Sequence, residues 1–445
     1  MSKKFAGIYL IPLLPVLLLW TAVPLQARTT YLSPTGNDSS PCAPGAEFLT
    51  LPAALGCLSA GDTLIVRNGI YLGGVIVQLE GTAGAPVLIR GESLEAIIDT
   101  SRNGLDALRL DHSSYVTLDR LTFRHATRAG IGIINCNHIT VTDCRCADNG
   151  KWGILTGFAD DIHFEGNECY GSKDEHGIYH SNSGDRFIIR GNRVHDNSGN
   201  GIHLNGDPEI PGEDGVLNWG IVERNIIWGN GQSGGAGINM THVQDVIVRN
   251  NLLYDNYAGG ITFYQDSGTF EQGSKRALIT GNTVFYLPGQ GRTGVNIMPT
   301  SEKALICGNI FVSGGGRGAL EVNSEHLPSV ISDYNIIWGI DTTQIVERTG
   351  ERRIGLGEWR KMSGNDLHTL FADPLFVNVA AADFHLQPGS PAAGLGLPPG
   401  EVRRILSRLG GFDWVLEQLG KLPEVNLDGK PGGSSKVHSA GAYGS

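Results

Sequence analysis

Between residues 106 and 340 the apolar residues fall in short runs of alternating apolar and polar positions, punctuated by glycine and asparagine, and the runs recur. Alternation over four to eight residues is the pattern of strands, and recurrence at a fixed landmark is the signature of a solenoid. Each repeat opens on a glycine-led strand: Gly130-Ile131, Gly153-Ile154, Gly177-Ile178, Gly201-Ile202, Gly237-Ile238, Gly260-Ile261 and Gly294-Val295, with Ala107-Leu108 and Ala319-Leu320 as degenerate end members. A turn, a second apolar strand, another turn and a short third strand complete the coil. Nine such coils are visible in the sequence.

A second landmark follows each middle strand: Asn167, Asn192, Asn225, Asn251, Asn282, Asn309 and Asn335, replaced in the first two coils by Leu121 and Cys144. The landmarks lie 23 to 33 residues apart. Strands of constant length joined by loops of variable length give that irregularity, whereas helical repeats do not. An asparagine at a buried turn tolerates a left-handed backbone and can bond the equivalent turns above and below. Parallel pairing of successive coils at about 4.8 Å predicts a rod of about 43 Å for nine coils, filled by Ile, Val, Leu and Phe. The pattern therefore predicts an all-β, single-domain, single-stranded right-handed parallel β-helix. Cys146 and Cys169 occupy one position on adjacent coils, as stacked thiols or as a disulfide.

The flanks differ from the repeat. Residues 28–103 read as an N-terminal cap and first coils, and residues 341–445 as irregular coils, short helices and a tail. After a polar excursion at 341–363, the "DPLFV" strand and "DFHLQPGSPA" turn suggest two irregular coils. Residues 399–422 carry Val402, Ile405, Leu406, Leu409, Val415, Leu416 and Leu419 at helical spacing broken by Gly410-Gly411, predicting two short helices on the rod or over its end. The start of the chain, with Lys3, Lys4, an apolar run over 8–19 and Leu25-Gln26-Ala27, reads as an export signal ending at residue 27. The mature chain is then secreted, to the periplasm, the surface or the medium.

Composition narrows the partners. Sixty-three glycines with 18% charged residues suit strands and tight turns, and the net charge of −11 argues against nucleic acid. Of seven cysteines, Cys42 and Cys57 bracket a short segment that a disulfide would close, and no spacing resembles a zinc site. Nothing in a capped rod demands a second subunit, so a monomer is expected.

The stretch "YLSPTGNDSSPC…AGDTLIVRNGIYLGG…GTAGAPVLIRGE…AIIDTS" resembles the opening of secreted β-helix proteins of the pectate-lyase-like and polysaccharide-lyase-like group. That resemblance implies a capping helix near 51–58. The segments "EHGIYHSNSGDRFIIRGNRVHDNSGNGIHLNGD" and "ADPLFVN…DFHLQPGSPAAGLG…GAYGS" resemble right-handed parallel β-helix repeat proteins. The group spans lyases, epimerases, hydrolases and proteins without known chemistry, so the resemblance bears on fold more than on activity.

Candidate chemistry follows from alternation. If the residue after each glycine points inward, the next points outward, and the outward face reads Tyr179, His203, Asn239 and Thr262 in one row and Ser181, Asn205, Thr241 and Tyr264 in another. Lys151 and Glu175 share a position just before their strands, beside Lys173, Asp174 and His176. Two long insertions, 206–218 and 265–275, follow this face and would wall a groove. A polysaccharide could lie there, with Tyr264, Trp219 and Trp228 as apolar platforms and Lys173, His176, Ser181, Asn205 and Asn239 as further contacts.

For a uronan, elimination or epimerisation needs a neutralised carboxylate, a base and an acid. Lys151, Lys173 or a calcium ion held by Asp207, Glu209 and Asp214 would supply the first, His203 the second and Tyr179 the third. Hydrolysis would instead use two carboxylates, Glu175 and Asp207, and a glycan-binding rod would use none. The bland alternatives are an exposed Lys151–Glu175 ion pair, a Tyr179–His203 stack that only covers the sheet, an inward structural His180, and a solvated acidic loop.

Overall fold

The computed structural model describes residues 27–443 apart from 102, 299–300, 323, 348–351, 424–425 and 429–439. The export signal expected over the first 27 residues lies almost wholly outside them. The rest winds into a right-handed solenoid of three sheets, one of thirteen strands and two of twelve, parallel along the coils and closed on the glycine-led sheet by an antiparallel strand, Arg352–Ile354 against Ile345–Glu347. Each coil contributes a glycine-led strand such as Ala129–Ile134, a middle strand such as Asn137–Thr142, and a short strand such as Arg145–Ala147. Coils stack in register: Ile154 pairs Ile178, Tyr179 pairs His203, and His203 pairs Asn239. The alternation inferred from sequence holds, because Ile178, Ile202, Leu204, Ile238 and Met240 are fully buried in one continuous core.

The corners explain the polar landmark. At every turn from middle to short strand one residue adopts a left-handed backbone, including Arg224 (φ 54°), Asn250 (φ 54°) and Tyr334 (φ 59°), and the landmark residue comes next. The asparagine is thus the residue after the left-handed one, which is a glycine before Asn167, Asn192, Asn282 and Asn309. Its amide donates to the landmark of the next coil, at 3.0 Å from Asn167 to Asn192, 2.9 Å from Asn225 to Asn251 and 3.0 Å from Asn309 to Asn335. Its carbonyl also accepts a backbone N–H one coil earlier, as Asn192 Oδ1 does from Asn167 N at 2.9 Å. Buried backbone groups are satisfied by a side chain that is itself satisfied. The corner before each glycine-led strand carries a second such row, Asn197, Asn230 and Asn256, joined at 2.8 and 3.0 Å, with Asn149 and Ser172 at the earlier equivalent positions.

The ends also follow local chemistry. A helix, Leu51–Leu55, covers the N-terminal core and is shorter than the 51–58 expected, and the Cys42–Cys57 disulfide ties it down with Cα atoms 5.4 Å apart. Cys146 and Cys169 face each other as free, buried thiols. At the C-terminal end the stretch expected as a polar excursion adds a parallel rung, Ile345–Glu347, and the two expected irregular coils are replaced by a second rung, Leu370–Phe371, and a separate antiparallel hairpin, Phe376–Asn378 with Asp383–Leu386. The hairpin folds back because Phe376 and Phe384 find Phe285 and Tyr254 on the short-strand sheet. Helices Pro399–Leu409 and Asp413–Lys421 lie on the rod's flank, where Leu406, Phe412 and Val415 bury against Ile247, Leu278 and Leu305 of the middle sheet. Ala440 and Ala442 return to the rod and are buried, Ala442 N donating to Thr283 Oγ1 at 2.9 Å. Among the described residues no helix is long and apolar enough to cross a membrane.

Candidate functional site

The outward face of the glycine-led sheet holds a compact aromatic and imidazole cluster. Tyr179 lies between Trp152 and His203, with ring centroids 5.3 and 5.2 Å away, and His176 meets Tyr179 and His203 edge-on at 5.2 and 4.6 Å. Stacking is imposed by register: Tyr179 and His203 are direct partners on adjacent strands. Trp152, beside Lys151, was not singled out by the sequence reading. It begins its strand before the glycine, outside the counting rule that started at the glycine.

Hydrogen bonds fix the protonation of the two histidines. Asn200 N–H donates to His176 Nδ1 at 3.0 Å, so the neutral ring carries its proton on Nε2. That Nε2–H faces His203 Nδ1 at 2.9 Å and Glu175 Oε2 at 3.3 Å. His203 Nδ1 therefore accepts, its own proton sits on Nε2, and Nε2 is buried with no partner. Burial pushes the His176 pKa down to about 4, and burial with His176 alongside drives His203 well below its usual value. Both rings are neutral at pH 7. In this arrangement His203 is a hydrogen-bond donor, and the base expected of it has no free lone pair.

Tyr179 is the opposite case. Its oxygen accepts from Asn205 Nδ2 at 3.0 Å, which leaves the hydroxyl proton available. Burial raises its pKa, and the charges of Asp207 and Glu175 raise it further, so both carboxylates act on this hydroxyl. The structure brings Glu175, His176, Tyr179, His203 and Asn205 together on one stretch of the face, and Asp207 follows the strand that carries His203 and Asn205, its N–H donating to Asn182 O at 2.9 Å.

Ser181 holds the outward position in register with Asn205, but is buried, its hydroxyl donating to the Thr156 carbonyl at 2.5 Å. Other expected residues are dispersed. His180 is inward and fully buried, 2.7 Å from Thr156 Oγ1. Lys151 is exposed with its ammonium 5.4 Å over the Trp152 ring and forms no ion pair with Glu175, whose carboxylate faces His176. Lys173 is exposed at the lip. Trp219 lies in the middle sheet and Trp228 in the short-strand sheet, stacked between His195 and Tyr254 at 4.1 and 5.8 Å, so neither faces the groove.

Farther along, the face stays polar and closes in. Asn239 donates to Tyr264 Oη at 3.3 Å, and Asn239, Thr241, Thr262 and Asn296 are all buried. Thr241 Oγ1 and Asn296 Oδ1 have no hydrogen-bond partner. The insertions at 206–218 and 265–275 touch, Gln272 Nε2 donating to Asp214 O at 2.8 Å, and His242 anchors the second through Gln272 O and Asp266, each at 2.9 Å. They form one wall. Asp207 Oδ1 caps Glu209 N at 3.1 Å and Asp214 Oδ1 caps Val216 N at 2.9 Å, while Glu209 is exposed. Among the described residues no group of three or more His, Cys, Asp or Glu side chains is placed to hold a metal ion, so the calcium expectation gains no support from the geometry.

Comparison with known proteins agrees with this architecture. The family described as "Right handed beta helix region" matches residues 96–234 and 220–352. YwoF of Bacillus subtilis (strain 168), itself described as an uncharacterized protein, is 25% identical over 440 residues, covering 81% of this chain and 91% of that protein. Among solved structures, pectate lyase Pel9A superposes with a TM-score of 0.56 at 15% identity, covering 84% of this chain and 93% of that one. A rhamnogalacturonan lyase gives 0.50 at 14% identity, covering 80% and 92%. At these identities the likeness is one of fold.

Proposed function

The chain belongs to the right handed beta helix family, and we propose that it is an exported carbohydrate-active protein that binds a linear polysaccharide along the groove and cleaves it at Tyr179. The observation that carries this is the joined cluster of Tyr179, His203, His176 and Glu175, with the Tyr179 oxygen accepting from Asn205 and its proton free, on a face whose buried hydroxyl and amide groups lack partners. A polyhydroxylated ligand supplies those partners, and leaving them empty costs about 1–3 kcal/mol each. The fold neighbours named as a pectate lyase and a rhamnogalacturonan lyase support the ligand class by analogy only.

The chemistry favoured is hydrolysis. Elimination from a uronate needs a cation at the carboxylate and a base at the adjacent carbon. The low pKa of His203 owes nothing to a neighbouring lysine or arginine, only to burial and His176, and its lone pair is engaged. Glu175 and Asp207 can act as acid and base across a glycosidic bond, with Tyr179 and His203 Nε2–H donating to the sugar ring or the leaving oxygen. Elimination stays as a second reading because Lys151 and Lys173 stand exposed at the lip, where a uronate carboxylate could meet them.

The two differ in product. The mature protein incubated with neutral and acidic linear polysaccharides is expected to release new reducing ends without ultraviolet absorbance. Reducing ends accompanied by absorbance would replace hydrolysis with elimination, and no release from any of them would leave a binding rod.

A further inference from the structure

The short-strand sheet carries a row of rings on its outward face, away from the groove. By register Tyr170, His195, Trp228, Tyr254 and Phe285 follow one another at one position of successive coils. From Tyr170 to Tyr254 the ring centroids lie 4.9, 4.1 and 5.8 Å apart, with planes within 8° of parallel. Phe384 of the hairpin bridges Tyr254 and Phe285, 5.2 Å from each. The next coil breaks the ladder with Val312, and the one after resumes it with Trp338. One ring is missing from the row.

The gap opens into a cavity of about 410 Å³, lined by Phe285, Val312 and Trp338 on the sheet and by Leu375, Phe376 and Val379 beside it. Phe285 and Trp338 are two coils apart, about 9.6 Å at the usual strand spacing. A flat aromatic ring held between them at van der Waals contact fills only about 7–8 Å, whereas a puckered saturated ring, with hydrogens on both faces, takes up the remainder. The same cavity has polar groups along its edge. Asp373 Oδ1 accepts from Leu375 N at 2.9 Å, leaving Oδ2 free, and Gln387 Nε2 donates to Phe376 O at 2.7 Å, leaving Oε1 as an acceptor. Ser313 accepts from Gly315 N at 3.1 Å and keeps its hydroxyl proton to donate. Two acceptors and a donor around a slot between rings match the hydroxyls and the apolar faces of a sugar. Among the described residues no lysine or arginine lines the cavity, and Asp373 disfavours an anionic ligand there.

We propose that this cavity is a second carbohydrate-binding site. It takes one neutral pyranose unit of a polysaccharide in the vacant rung, ring faces against Phe285 and Trp338 and hydroxyls on Asp373, Ser313 and Gln387. The site is on a different sheet from Tyr179 and holds the rod on a polymer whether or not the groove cleaves it.

The test is affinity electrophoresis of the full mature chain through gels containing a neutral β-glucan, a galactomannan or a xylan, with polygalacturonate as the anionic control. At least one neutral polymer is expected to retard the wild type. Val312→Phe supplies the missing ring and fills the slot, and should weaken that binding at least about fivefold. Trp338→Ala opens the slot instead and should give a similar loss, so the proposal remains testable if either variant fails to fold. Tyr179→Phe, in the groove, should be retarded like the wild type. Absence of retardation by every neutral polymer overturns the proposal. So does retardation that survives both Val312→Phe and Trp338→Ala, and if Tyr179→Phe abolishes it the binding belongs to the groove. Retardation by polygalacturonate alone also overturns it.

Discussion

His176, His180 and His203 are held neutral inside the protein, and that has a consequence for stability. Their folded pKa values lie below 6.5, at about 4 for His176 and His180, while an unfolded chain lets them titrate near 6.5. Between those limits the unfolded state binds more protons, so stability is full above pH 6.5 and falls as pH drops toward 4. The shift is worth up to about 3 kcal/mol per histidine, so the melting temperature should decline steadily from pH 7 to 5. His180→Asn should flatten that decline, and an unchanged slope would mean His180 titrates normally in the folded protein. At the centre, Tyr179→Phe should lower turnover about 100-fold while binding changes little, read as kcat against KM. Much of this cluster was legible from alternation, since Tyr179, His203 and Asn205 are where counting from the glycine puts them. Ser181 is there too, in register with Asn205, but its hydroxyl is taken by the Thr156 carbonyl, which alternation does not reveal. Trp152 was missed because it precedes the glycine, and the tautomer of His203 depends on a backbone N–H from Asn200 that no pattern reveals.

At the scale of the element, the corners govern the coil. One asparagine row was readable because its members follow a long middle strand at a clear landmark. The second, five residues later, was obscured because Ala126 and Ser172 interrupt it among the early coils. Its importance can be measured. Asn230→Ala removes the acceptor of Asn197 N and Nδ2 and the donor to Val194 O, Trp228 O and Asn256 Oδ1. Leaving these buried groups unpaired should cost about 3 kcal/mol, seen as a lower urea midpoint with unchanged slope. Ser172→Asn should work in the other direction, gaining about 1 kcal/mol by completing the row where the Ser172 hydroxyl is now buried without a partner. The C-terminal hairpin was misread as further coils because "DPLFV" alternates like a rung, and only the aromatic neighbours Tyr254 and Phe285 decide that it folds back.

The whole molecule is a rod with a covered flank, a tied N-terminal cap and one walled groove. Reduction of Cys42–Cys57, which closes a 15-residue separation, should release about 3 kcal/mol of cap stability and expose the capping segment to protease before the coils yield. The central claim is that the groove cleaves a glycan at Tyr179 with Glu175 and Asp207. It is tested most directly by reducing ends released from a panel of linear polysaccharides by the wild-type protein, Glu175→Gln and Asp207→Asn, side by side. The account predicts release by the wild type from at least one polymer and a loss of at least about 100-fold in each variant, with the variants folded and still binding. Release that survives both substitutions would place the chemistry elsewhere on the rod and contradict it.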